Sequence, residues 1–127
     1  MDDAARRKLA NLLGLGVRGR MVVVGVEQVR MAATKNKLAF AIVAPDASRN
    51  SLDKVLPLLN ARRVRYIEAL GADALGAAVG RQSTAAVGIV DNRLARGIRA
   101  LVEGAEAARD SRVEPSPNRR KVLASFA

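Results

Sequence analysis

Three groups of residues in this chain have the types and spacing to do chemistry. The first is Gly25-Val26-Glu27-Gln28-Val29-Arg30-Met31, in which polar groups follow directly on a glycine. Glycine allows close approach of a ligand to the backbone, and the amides of a helix's first turn point outward toward phosphate or base acceptors. From the residues alone, this reading stands level with an ordinary glycine turn into an amphipathic helix. The second group, Gly14 to Gly19, matches the dinucleotide-binding spacing G-x-G-x-x-G. That motif needs a strand before it and a helix opening at its end, so that pyrophosphate meets the helix N-terminus. Here a helix precedes and a strand follows, so these glycines read as helix termination and a tight turn. The third group is Asp46, Asp53, Asp73 and Asp91, all near expected element ends. Asp53 and Asp73 fall in the first turns of expected helices, which favours capping over metal or acid–base work.

Composition narrows the chemistry further. The chain has no histidine and no cysteine, which excludes disulfides, imidazole or thiolate metal sites, and Ser-His or Cys-His nucleophiles. No metal, cofactor, catalytic group or small-molecule substrate is expected. Its 22 Lys and Arg against 12 Asp and Glu give a net charge of +10, which favours a polyanionic partner bound through phosphate neutralisation. The aromatic residues are Phe40, Tyr66 and Phe126, too few for a base-stacking platform. Neither apolar run, MVVVGV or LAFAIVA, is long enough to span a bilayer, and Asp2 and Asp3 replace the basic start of a signal peptide. A cytoplasmic location is expected.

The elements that must position these residues follow from periodicity. Leu9, Leu12 and Leu13 at helical spacing predict a first helix over residues 4–15, ended by Gly14 and Gly16. Residues 20–24 read as a strand, and Gly25 turns the chain into a second helix reaching about Asn36, with Val29, Ala32 and Ala33 on one face. Residues 38–44 form a strand buried on both faces. Asn50 or Ser51 caps a third helix carrying Leu52, Val55, Leu56 and Leu59, kinked at Pro57. A short strand over 64–68, a short helix over 72–79 ended by Gly80, a buried strand over 84–90 and a closing helix over 92–108 complete the pattern. The expected fold is an α/β, three-layer α-β-α sandwich with a mixed four-stranded sheet, formed by residues 1–108. Residues 109–127, with two prolines and the cluster Arg119, Arg120 and Lys121, read as a disordered basic tail.

Several stretches carry a resemblance to a known family: LLGLGVRGRMVVVG, LAFAIVAPDASRNS, VLPLLNARRVRYIEA and LGAAVGRQSTAAVGIV. In order and spacing, over residues 9–98, the chain resembles the kink-turn RNA-binding superfamily of ribosomal proteins L-seven-Ae and L-thirty-e. It is most similar to small bacterial members whose pattern runs G-x-[DE]-Q-V and DAS-x-N, here Gly25, Glu27, Gln28 and Val29, then Asp46, Ala47, Ser48 and Asn50. The resemblance implies a structured-RNA partner, of kink-turn or ribosomal type, gripped between the start of the second helix and the loop before the last strand. Gly25, Glu27, Gln28 and Met31 would then face tandem G·A pairs, and Arg81, Gln82, Ser83 and Thr84 the adjoining bulge. Relatives with the pattern G-x-N-E-x-x-K have an asparagine and a lysine where this chain has Glu27 and Met31. These changes remove a donor and a phosphate-pairing charge. Arg30, with Gly19, Arg20, Lys35 and Lys37 taken as neighbours, is expected to supply the phosphate contacts instead.

The expected function is therefore non-enzymatic recognition of structured RNA in a translation or ribosome-associated role. A protein–protein interaction module of the same superfamily is the alternative. The resemblance also leaves room for a second small basic RNA-binding domain ahead of MDDAARRK in a longer chain.

Overall fold

The computed structural model describes residues 2–112, with side chains through Gly104. Nine elements alternate in the order α1 (Asp3–Arg18), β1 (Val22–Val24), α2 (Val26–Thr34), β2 (Phe40–Val43), α3 (Arg49–Ala61), β3 (Tyr66–Ile67), α4 (Ala72–Ala78), β4 (Ala86–Ile89) and α5 (Asn92–Arg112). The strands form one mixed sheet in the order β1-β4-β2-β3. β4 lies antiparallel between β1 and β2, pairing Val22 with Ile89 and Phe40 with Ile89, while β3 runs parallel to β2. Strands β1, β2 and β3 therefore all run in one direction and β4 alone returns.

Helices cover both faces because the central strands are apolar on both. In β2, Phe40 and Ile42 enter a core shared with Leu9 and Leu13 of α1, Leu75 of α4, and Leu94 and Ile98 of α5. Ala41 and Val43 point the other way, against Val29 and Ala33 of α2 and Val55 and Leu59 of α3. This alternation is the period of two expected of a strand between two apolar layers. A fully buried leucine such as Leu9 or Leu13 contributes roughly 1.5–3 kcal/mol. The three-layer sandwich expected from the sequence is the observed architecture.

Several local expectations are corrected. α1 does not end at Gly14 or Gly16 but runs to Arg18, with Gly19 as its C-cap. Gly16 is a packing residue: a Cβ there would lie 2.7 Å from Leu94 Cδ2 and 2.8 Å from Val22 Cγ1, so its absence lets α1 approach α5 and β1. The G-x-G-x-x-G spacing thus falls on the last turns of α1 and its C-cap and forms no phosphate-binding strand-to-helix turn. α3 is capped by Ser48, whose Oγ accepts from the Ser51 amide at 3.1 Å, not by Asn50 or Ser51. With α3 starting at Arg49, Asp53 lies past the first turn, while Asp73 is in the first turn of α4 as expected. Pro57 is exposed, and α3 continues through it to Ala61. α5 extends four residues beyond its expected end, to Arg112. The basic cluster Arg119 to Lys121 lies outside the described residues.

Asp46 and Asp91 are both caps. The Asp91 carboxylate accepts from the amides of Arg93 and Leu94 at 2.8 and 2.9 Å. Asp46 reaches across the fold, and its Oδ1 accepts from the Ala72 amide at 2.7 Å at the start of α4. The DAS segment after β2 therefore closes two helix ends, α4 through Asp46 and α3 through Ser48. The described residues hold no cluster of three or more potential metal-ligating side chains, and no described helix is long and apolar enough to cross a membrane.

Candidate nucleic-acid interface

β1 delivers the chain to Gly25 at φ 97° and ψ 157°, a backbone region that essentially only glycine occupies. α2 starts there with no side-chain cap. The Gly25 amide donates to the Ala86 carbonyl at 2.9 Å, while the Gly25 carbonyl accepts from Val29 at 3.0 Å. A Cβ on Gly25 would meet nothing within 4 Å, so the approach to the first turn of α2 is open. Glu27, Gln28, Arg30 and Met31 are all exposed on this helix. The Glu27 and Arg30 side chains lie 3.9 Å apart, both well exposed, and a surface pair of this kind contributes little. Glu27, Arg30, Met31, Thr34 and Lys35 line a shallow cavity of about 280 Å³ along the outer side of α2.

The second part is the loop between α4 and β4. Gly80, at φ 78°, lets the chain leave α4, and the Arg81 amide donates back to the Gly76 carbonyl at 2.7 Å. Arg81, Gln82 and Ser83 are exposed. Thr84 is not: it is only 8% exposed, its amide donates to the Ala72 carbonyl and its hydroxyl to the Ala86 carbonyl. Thr84 therefore anchors the loop, and the surface it was expected to share belongs to the three residues before it.

Backbone hydrogen bonds bring these two parts together. The loop enters β4 at Ala86, whose carbonyl holds Gly25, and the preceding Ala85 carbonyl accepts from Ala44 at the end of β2. The start of α2, the 81–83 loop and the DAS turn thus share one end of the sheet. Charges there are mixed, with Glu27, Asp46, Glu68 and Asp73 beside Arg30, Arg49 and Arg81.

The other expected site residues are not gathered here. Gly19 and Arg20 precede β1, and its length puts Arg20 roughly 16 Å from Gly25, at the opposite end of the sheet. Lys37 follows α2 into β2 at that same far end. Lys35 caps α2 about 15 Å along the helix from Gly25, yet still borders the shallow cavity. Nearness in sequence misled because β1 and α2 each carry the chain from one end of the sheet to the other. Asp46, which ties the DAS turn to α4, was expected only as part of the DAS-x-N pattern near an element end, since its partner lies 26 residues away.

Fold and site together define a small basic α/β/α module whose candidate working surface is the exposed start of a helix and an exposed loop at one sheet end. A family model described as the ribosomal protein L7Ae/L30e/S12e/Gadd45 family matches residues 7–98. The chain belongs to that family. It is 31% identical over 105 residues to the RNA-binding protein YlxQ of Enterococcus faecium, covering 82% of this chain and 100% of that protein. Among solved structures it is similar to a Bacillus halodurans protein of unknown function, with a TM-score of 0.68 and 26% identity, over 74% of this chain and 95% of that one. The Giardia lamblia 15.5kD RNA binding protein shares the fold with a TM-score of 0.67 at 21% identity, over 84% of this chain and 92% of that one.

Proposed function

We propose that this chain is a non-catalytic, cytoplasmic RNA-binding domain that recognises a sharply bent, kink-turn-like RNA in a translation or ribosome-associated role. The observation that carries the reading is the Gly25–Ala86 hydrogen bond, which sets the uncapped, open start of α2 beside the Arg81–Ser83 loop. First-turn amides and Gln28 offer donors to base edges or phosphate, and Arg30 and Arg81 supply charge. Glu27 accepts only, so it suits exposed amino groups of bases and disfavours a nearby phosphate. The relative named as an RNA-binding protein, matched over its whole length, supports the class of ligand.

The test is titration of a kink-turn RNA against the same RNA with its G·A pairs changed to Watson–Crick pairs, at moderate salt. Tighter binding of the kink-turn is expected. Equal affinities would leave only sequence-independent attraction and end the kink-turn reading.

A further inference from the structure

The end of the sheet opposite Gly25 is built from one turn used three times. α1, α2 and α3 close with C-caps Gly19, Lys35 and Arg62, at φ −89°, −89° and −92°. Each is followed by a left-handed residue, Arg20, Asn36 and Arg63, at φ 58°, 58° and 57°. The next amide in each case, of Met21, Lys37 and Val64, donates five residues back, to Gly16, Ala32 and Leu59, at 2.7, 2.9 and 2.9 Å. This is the Schellman arrangement, whose left-handed position ordinarily takes glycine. α4, which ends at the other end of the sheet, does use glycine there, at Gly80.

The three turns read Arg18-Gly19-Arg20, Lys35-Asn36-Lys37 and Arg62-Arg63-Val64-Arg65. All seven cations are exposed, these turns contain no acid, and among the described residues none of the seven is ion-paired. Arg62 Nη1 donates to Asn36 Oδ1 at 3.3 Å, which joins the second and third turns. The acid nearby in the fold, Asp91 after β4, is engaged by two amides at the start of α5. Because β1, β2 and β3 occupy the first, third and fourth places in the sheet, the turns stand in a row roughly 14 Å across, from three strand spacings. On the order of eight phosphates, both strands counted, lie along that length of a duplex, and those on its near side would meet the turns.

We propose that this far end is a second RNA-binding surface, which holds the phosphate backbone of a double-stranded segment by charge and without reading its bases. It goes beyond the kink-turn reading, since it uses none of Gly25, Gln28 or the 81–83 loop. The fixed turns make it a rigid rack of cations rather than a flexible basic arm, while the mixed charges at the Gly25 end leave selectivity to that site.

The test compares two variants that each lose three charges from the native +10. One carries Arg20→Gly, Lys37→Gln and Arg63→Gly, in which glycine suits the left-handed backbone. The other, a charge-matched control, carries Arg6→Gln, Arg7→Gln and Lys54→Gln at exposed helical positions. The probe is a labelled plain RNA duplex without internal loops, titrated over a range of salt concentrations. The slope of log affinity against log salt is expected to fall by roughly two to three in the first variant and to change little in the control. A version with Arg20→Asn, Lys37→Gln and Arg63→Asn, checked for its melting transition, loses the same three charges, separates charge from backbone effects and should reproduce the result. Equal losses in both variants, an unchanged slope in the first, or no duplex binding by the native chain would overturn the second surface. The ratio of affinities for kink-turn and repaired RNA should stay constant in the first variant, so the two surfaces are judged separately.

Discussion

Replacing Gly76 by alanine tests how the 81–83 loop is held without touching any exposed residue. A Cβ on Gly76 would lie 2.7 Å from both Cα and N of Ser83 and 2.9 Å from the Gln82 carbonyl carbon. Ordinary contact begins at 3.4 Å, so the deficit is 3.4 − 2.7 = 0.7 Å. The obstructing atoms are backbone, so no side-chain rotation relieves the clash. Either the loop is displaced or α4 tilts away from it, and overpacking of this kind costs about 1–3 kcal/mol. For a domain of this size the melting temperature should fall by roughly 4–12 °C, measured by far-UV circular dichroism. Gly97 provides the internal contrast: it is exposed in α5 and an added Cβ meets nothing within 4 Å. Gly97→Ala should raise stability by about 0.5–1 kcal/mol through helix propensity and reduced freedom of the unfolded chain. In a binding titration below the melting transition, Gly76→Ala should also weaken kink-turn RNA binding, because displacement moves Gln82 and Ser83. Melting behaviour identical to the native protein would refute the close approach of α4 and loop. A lowered melting point with native RNA affinity would refute displacement of the loop and show that α4 gives way instead.

Gly25→Ala meets no steric obstacle, so its cost is conformational, about 1–3 kcal/mol for forcing a side chain into this backbone region. Thermal melting should show that loss, and RNA affinity should drop as the first turn of α2 shifts; native values for both would contradict the role given to this turn. Asp46→Ala removes the acceptor at the start of α4 and should cost about 1 kcal/mol in a denaturant titration, whereas Asp46→Asn, which keeps an oxygen, should cost less. If the two variants were equally stable, the Asp46–Ala72 bond would not be the reason.

Much of the layer order was legible because the apolar segments were long and differently patterned. Strand centres at Val22–Val24, Phe40–Val43, Tyr66–Ile67 and Ala86–Ile89 all fall inside the expected spans, and only their ends are trimmed. At the starts of β1, β2 and β3 the trimming has a physical source in the left-handed residues that precede them. Arg20, Asn36 and Arg63 keep the chain in a turn for longer than their types announce, since such positions usually carry glycine. Gly14 and Gly16 misled in the opposite sense: glycines within α1 were taken for its end, although Gly16 is required by side chains that arrive from α5 and β1. Sheet order was not legible at all, because four short apolar strands do not encode which neighbour each accepts. The same limit governed the site. Gly25, Gln28 and the 81–83 loop, grouped through the family pattern, lie at one end of the sheet, whereas Arg20 and Lys37 were grouped with them by sequence distance, across elements that span the sheet.

The position of β4 has a consequence for how the domain comes into being. Among the described residues, β4, one of the two central strands, is the last strand in sequence, and β1 has no strand partner but β4. β2 and β3 can meet as soon as both are made, but β1 must wait for the span around Ala86 to Ile89, more than sixty residues later in the sequence. Closing so long a loop before it is rewarded by contacts slows folding and makes the final step cooperative. The Gly25 turn gets its partner at Ala86 in that same step. A chain still lacking β4 would therefore offer a nascent hydrophobic half-sheet but no assembled interface, so ligand capture is tied to completion of the fold.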